Sequence, residues 1–230
     1  YHLHVRPGDA LIRDMGGLVS FEKLDKARLI KWIARELKGY GKQIDRGTAE
    51  QLLFACGDDM LVLQNEIGKL AAHAGDSEAV TVEDVEAAVS KSAEYRVFDL
   101  ADRVAGGKAA QALSLLREML QGGERRLMLL SLLQRQYRQL LFVKIMLEEG
   151  QGQSAIAARL GIPPFVVRRM GEMVQRQTAD SLKEAYLGCV NQEYMIKSGQ
   201  ISEAGSLEQL ILNLLALQRK GGRNLVKAEP

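Results

Sequence analysis

Apolar residues recur every three or four positions through almost all of the chain after Lys23. That period fits helices, which turn once every 3.6 residues, and not strands, which alternate. Residues 24–38 place Leu24, Ala27, Leu29, Ile30, Ile33, Ala34 and Leu37 at helical spacing, and Gly39 and Gly41 stop that helix. A short helix over Thr48 to Ala55 ends at Gly57. Asp58 or Asp59 caps a third, whose inner stripe is Leu61, Leu63, Ile67 and Leu70. Residues 74–80 read as a polar turn. Thr81 caps a fourth helix, with Glu83 and Asp84 in the first turn, where the helix dipole favours carboxylates. Its residues Val82, Val85 and Val89 are expected to face inward. Four short helices predict one small bundle over residues 23–92.

The segment KSAEYR at 91–96 breaks this pattern and reads as a hinge or linker. Beyond it the helical segments are longer and richer in Leu. FDLADRVA is a short helix ended by Gly106-Gly107, and 108–120 is another, with Ala112, Leu113, Leu116, Met119 and Leu120 inward. Residues 124–149 read as one long helix with the stripe Leu130, Leu133, Tyr137, Leu140 and Leu141. Its apolar surface widens at 127–133 and 140–147, which predicts a central position covered on several sides. A helix over 178–198 carries Leu182, Ala185, Tyr186, Cys189, Val190, Tyr194 and Ile196. Ser206 and Gln209 have the spacing of a capping box for the last helix, and 221–230 reads as a disordered tail.

Residues 1–22 differ. LIRDM, a Gly16-Gly17 break and LVSF read as a helix end followed by a short strand. One strand leaves its backbone groups without partners, so this piece is expected to be the remnant of an α/β domain lying upstream. The fold class is therefore all-α: two helical bundles with a short strand remnant at the N-terminus.

Composition narrows the function. The 31 basic residues nearly balance 29 acidic ones, which is no footprint for a polyanion or a membrane surface. The only two cysteines, Cys56 and Cys189, fall in apolar helical patterns and read as buried thiols of a reducing cytoplasm. Three histidines provide no metal set, and His2 and His4 read as surface residues. No GxxxxGK[ST] loop occurs and no nucleophile–base set can be assembled. No cofactor, metal or catalytic residue is expected in this chain.

The stretch QSAIAARLGIPPFVVRRM at 153–170 has the spacing of a helix-turn-helix. A sequence-reading helix needs polar side chains at its leading end to reach base edges. Here that end is Pro163, Pro164, Phe165 and Val166. Proline at a first helical turn is instead a good helix start. Arg168 and Arg169 are the candidates for contact with a DNA backbone, or else lie solvated or pair with Glu172. A helix-turn-helix DNA-binding protein using 153–170 is the alternative reading, and an enzyme with its catalytic domain upstream is a third.

The ordered segments carry a resemblance. They are WIARELKGYGKQIDRGTAEQLL, GDDMLVLQNEIGKLAAHAG, VTVEDVEAAVSKSAEYRVFDLADRVAGG, ALSLLREMLQGGE, LLSLLQRQYRQLLFVK, IAARLGIPPFVVRRM and YMIKSGQ. In this order the chain resembles the delta subunit family of the bacterial DNA polymerase III clamp loader, over roughly residues 20–217. The resemblance implies an AAA+-like domain ending in residues 1–22, a helical lid over 23–92, a collar that joins subunits over 93–220, and a tail over 221–230. It implies a non-catalytic subunit of the polymerase complex, a nucleotidyltransferase, that helps load the sliding clamp. The implied partners are loader subunits of the gamma/tau and delta-prime types. The sliding clamp would be met through the upstream domain, and primer–template DNA indirectly. The expected subunit interface is Leu207, Leu210, Ile211, Leu214 and Leu215 on the last helix, with Leu130, Leu133, Tyr137 and Leu141 on the long one.

Overall fold

A computed structural model describes residues 24–226, with side-chain detail through Gln218. The expected helix end and strand at 1–22 lie outside the described residues. Eleven helices and one two-stranded sheet make up the described part. The first unit holds α1 (Lys26–Gly39), β1 (Gln43–Ile44), α2 (Arg46–Cys56), α3 (Met60–His73), β2 (Ala79–Val80) and α4 (Val82–Ala88). The second holds α5 (Ala93–Ala105), α6 (Ala109–Gln121), α7 (Arg126–Glu148), α8 (Gln153–Leu160), α9 (Pro164–Val174), α10 (Ala179–Lys197) and α11 (Ser206–Val226).

Short side chains set the helix starts. Asp25, Asp45 and Asp59 accept backbone N–H groups of α1, α2 and α3 that would otherwise lack partners. Thr81 and Asp84 form a reciprocal capping box on α4. Hydrogen bonds from the Thr48 hydroxyl and backbone N–H hold the Asp45 carboxyl below its ordinary range. Those from the Thr81 backbone and hydroxyl do the same for Asp84.

The expected turn at 74–80 contains β2, which pairs in parallel with β1, Gln43 opposite Ala79 and Ile44 opposite Val80. A two-residue strand is too short to show any alternation. The capping box expected at Ser206 and Gln209 is absent. The Ser206 hydroxyl donates to the Glu203 carbonyl at 2.7 Å, and the Gln209 amide to Asn213 at 3.1 Å. The tail expected from Gly221 is helical as far as Val226. Glycine inside a helix weakens it by about 1 kcal/mol, which is a cost and not a stop.

Two cores result. The first is built on Leu29, Ile33, Leu37, Leu52, Leu63, Ile67 and Leu70, and the second on residues from Val97 to Leu215. Leu61 and Val82 do not join the first core: both are exposed, while Leu63, Val85 and Val89 are buried. Cys56 and Cys189 are buried and unpaired, and burial pushes both thiols up to about 12.

The 91–96 segment is no loose hinge. Ser92 caps α5, and its N–H donates to the Ala55 carbonyl at 2.8 Å. Tyr95 is buried in the first core and Phe98, one turn later, in the second. One continuous helix therefore enters both cores and stiffens the junction. Phe54 of α2 packs against both cores, with ring centroids 5.3 Å from Tyr95, 5.1 Å from Phe98 and 5.7 Å from Phe165, all edge-to-face.

Candidate assembly surface

The nine side chains expected at a subunit interface lie elsewhere. Leu207, Leu210, Ile211, Leu214, Leu215, Leu130, Leu133 and Tyr137 are each at most 4% exposed, and Leu141 is half-buried against the same core. The reason is architectural. Helix α11 packs against α5, α6 and α10, and so closes the second bundle with the stripe that periodicity marks. Helix α7 packs against α5, α8, α9 and α10, which consumes its main stripe in the same way. Polar ties fix both helices: Arg126 to Glu208 at 2.7 Å, Gln192 to the Ser206 carbonyl at 2.9 Å, and Gln218 to the Ala105 carbonyl at 2.6 Å. These side chains hold the domain together, and all but Leu141 have almost no surface to offer a partner.

The helix-turn-helix stretch, the alternative DNA reader, is engaged within the chain. The geometry exists, with α8 and α9 joined at Gly161, whose φ of +65° is the left-handed conformation that glycine adopts without strain. Its leading end is already occupied. Lys26 of α1 donates to the Gly161 carbonyl, and Phe165 packs on Phe54 of the first unit. The Arg169 guanidinium lies over the Phe98 ring, 4.7 Å from its centroid. Neither arginine makes an ion pair with Glu172, and of the two only Arg168 is exposed. The motif joins one bundle to the other, with Val166 buried and Phe165 packed on the first unit, while Pro164 stays exposed.

A different face carries exposed apolar side chains. On α7 an exposed stripe runs through Met128, Ser131, Arg135, Arg138, Phe142 and Ile145, spaced alternately three and four apart. On α10 a second runs through Lys183, Leu187, Val190, Tyr194 and Lys197, with the same alternation. A 3.5-residue mean repeat is the seam along which one helix meets another. Val190 and Tyr194 are 38% and 62% exposed. With Met128, Phe142, Ile145 and Leu187 they make up half of the exposed large hydrophobic side chains among the described residues.

The two stripes share one face. Gln134 of α7 donates to the Glu193 carboxylate at 2.5 Å and to the Cys189 carbonyl at 3.3 Å, bridging α7 and α10. Ser131 and Arg138 stand one turn either side of Gln134, and Val190 and Lys197 one turn either side of Glu193. Both stripes therefore flank the same seam. Hydrogen bonds from Lys197 and Gln134 hold the Glu193 carboxyl below its usual range, so that it stays ionised at neutral pH. The charged groups on the stripes themselves, Arg135, Arg138, Lys183 and Lys197, are all basic.

Comparison with known proteins agrees with the architecture. Residues 94–214, just over half of the chain, match the family described as DNA polymerase III delta subunit, C-terminal domain. The chain belongs to this family. Among curated proteins it is similar to DNA polymerase III subunit delta of Bacillus subtilis (strain 168), 27% identical over 179 residues, covering 78% of this chain and 52% of that protein. Among solved structures it is similar to the Bacillus subtilis DNA clamp loader delta protein. That match has a TM-score of 0.65 and 23% identity, covering 93% of this chain and 63% of the other. The chain thus spans between half and two thirds of the length of the relatives it matches. The all-α two-bundle fold is shared with the solved structure. The family domain coincides with the second bundle and includes both exposed stripes. No helix among the described residues is long and apolar enough to cross a membrane.

Proposed function

We propose that this chain is the assembly portion of a clamp-loader delta subunit, acting without chemistry of its own in bacterial DNA replication. The second bundle is the collar and the α7–α10 face is its docking surface. The observation that carries this reading is the pair of exposed apolar stripes at coiled-coil spacing, inside the segment that the delta family matches.

Six large side chains at the 36–62% level of exposure are too concentrated for an idle surface. Aromatic, Met and Arg side chains on such a face are the types enriched at protein interfaces. The partner is a helical face of a sister loader subunit, of the gamma/tau or delta-prime type, with apolar residues at matching spacing and carboxylates opposite Arg135 and Arg138. The first bundle is the lid, which transmits movement between the collar and whatever precedes it in the full protein. Contact with the sliding clamp is assigned to that preceding part, and contact with primer–template DNA is indirect. Buried thiols at Cys56 and Cys189 suit a reducing cytoplasm.

The test is reconstitution. The chain is mixed with the other loader subunits of its source and resolved by size exclusion. The native chain co-elutes, and the Leu187→Glu, Tyr194→Glu double variant elutes alone with its native circular dichroism intact. Undiminished co-elution of a folded double variant contradicts the assignment.

A further inference from the structure

A cleft of about 480 Å³ lies between the two bundles, within the roughly 300–1,000 Å³ range of ligand sites. Its apolar wall includes Leu53 and Phe54 from the first unit and Phe98, Leu132 and Val166 from the second. Gln136 also lines it. That side chain is only 7% exposed, and its Nε2 is the one buried side-chain nitrogen or oxygen without a hydrogen-bond partner among the described residues. Gln139 adds a second amide to the same wall.

Four carboxylates line the cleft, of which Glu50 pairs with Arg46 and Asp59 caps α3. Asp58 at the end of α2 and Glu94 in the first turn of α5 line the cleft, are exposed and make no ion pair among the described residues. Of the basic residues lining it, Lys26 is engaged by the Gly161 carbonyl, which leaves Arg135. Two exposed, unpaired carboxylates among the lining repel phosphate, which disfavours nucleotides and nucleic acid. Glutamine amides both donate and accept, as a peptide bond does. An apolar wall beside a carboxylate pair calls for an aliphatic side chain next to a cation.

We propose that the cleft takes an extended segment of a partner protein carrying a lysine or arginine beside an aliphatic residue. The main chain of that segment hydrogen-bonds the Gln139 amide, the aliphatic side chain enters between Phe98 and Leu132, and the cation meets Asp58 and Glu94. This cleft adjoins the α7–α10 docking face, with Arg135 on both, but its test does not depend on loader assembly.

A displayed library of random heptapeptides is panned against the full chain. Binders to a Gln139→Trp variant, whose indole fills the cleft, are removed. The expected outcome is enrichment of sequences with Lys or Arg adjacent to Leu, Ile or Val. The most enriched peptide, synthesised, then binds the native chain saturably and shifts the Gln139 side-chain amide signals in nitrogen–proton spectra. Its affinity falls at least tenfold in Gln139→Trp and in Asp58→Lys, Glu94→Lys, both of which keep native circular dichroism. The proposal is overturned by no enrichment above an unrelated control protein, by enrichment of acidic sequences, by binding that survives Gln139→Trp, or by saturation that leaves the Gln139 amide unmoved.

Discussion

Truncating Phe54 to alanine tests whether the two bundles are one mechanical unit. The ring makes three edge-to-face contacts, and two of them, to Phe98 at 5.1 Å and Phe165 at 5.7 Å, cross into the second bundle. Each such pair contributes about 0.5–1.5 kcal/mol beyond area burial. Losing both removes about 1–3 kcal/mol of coupling, roughly 5–150-fold in the equilibrium that joins the bundles. The chain offers a built-in reporter: its single tryptophan, Trp32, packs on the first core alone. Urea unfolding is followed by Trp32 fluorescence and by far-ultraviolet circular dichroism on the same samples. In the native chain the two curves coincide, as expected of one cooperative unit. In Phe54→Ala they separate, with the Trp32 transition first. For a slope of about 2 kcal/mol per M, a loss of about 2 kcal/mol lowers its midpoint by about 1 M. Phe54→Leu, which keeps bulk and loses the aromatic edges, falls between. Coincident curves with an unmoved midpoint in Phe54→Ala would refute the coupling.

Core and surface leucines are expected to part sharply from one another, as are their isomers. Ile211→Ala, at 0% exposure, costs about 2–5 kcal/mol in urea unfolding, while Leu187→Ala, at 51%, stays within about 0.5 kcal/mol. Equal costs would restore Ile211 to the surface. Stability also depends on acid. Asp45 and Asp84 have carboxyl groups depressed by their N-cap hydrogen bonds, so their contribution is complete above the ordinary aspartate range and is lost as pH falls through the lowered folded values. The double variant Asp45→Asn, Asp84→Asn, melted from acid to neutral pH, loses part of that acid dependence. An unchanged pH profile would show that other carboxylates set it.

Much of the fold was legible because long helices repeat their signal many times. The cap residues Asp59 and Thr81, the central position of α7 and the burial of both cysteines all follow from residue type and spacing. Elements with no room for periodicity were not legible, such as the two-residue strands at 43–44 and 79–80. The surface was legible only in part. Apolar widening on 127–133 and 140–147 was a true signal, yet it marks Met128, Phe142 and Ile145 as exposed where cover was expected. Periodicity finds the stripe with the most apolar residues, which a folded domain buries first. It cannot separate that stripe from a second one left for a partner. Nor could the chain order of Lys26 and Gly161, which stand 135 residues apart, disclose that the helix-turn-helix end is anchored to the first unit.

Site-resolved photocrosslinking tests directly the proposal that the α7–α10 face meets another subunit. A benzophenone amino acid is placed at Leu187 on the α7–α10 face, or at Leu61 on the first unit, where the side chain is more exposed still. Each variant is irradiated in the reconstituted loader. An adduct with a sister subunit is expected from position 187 and none from position 61. A silent position 187 in an otherwise intact complex would contradict the assignment of this face.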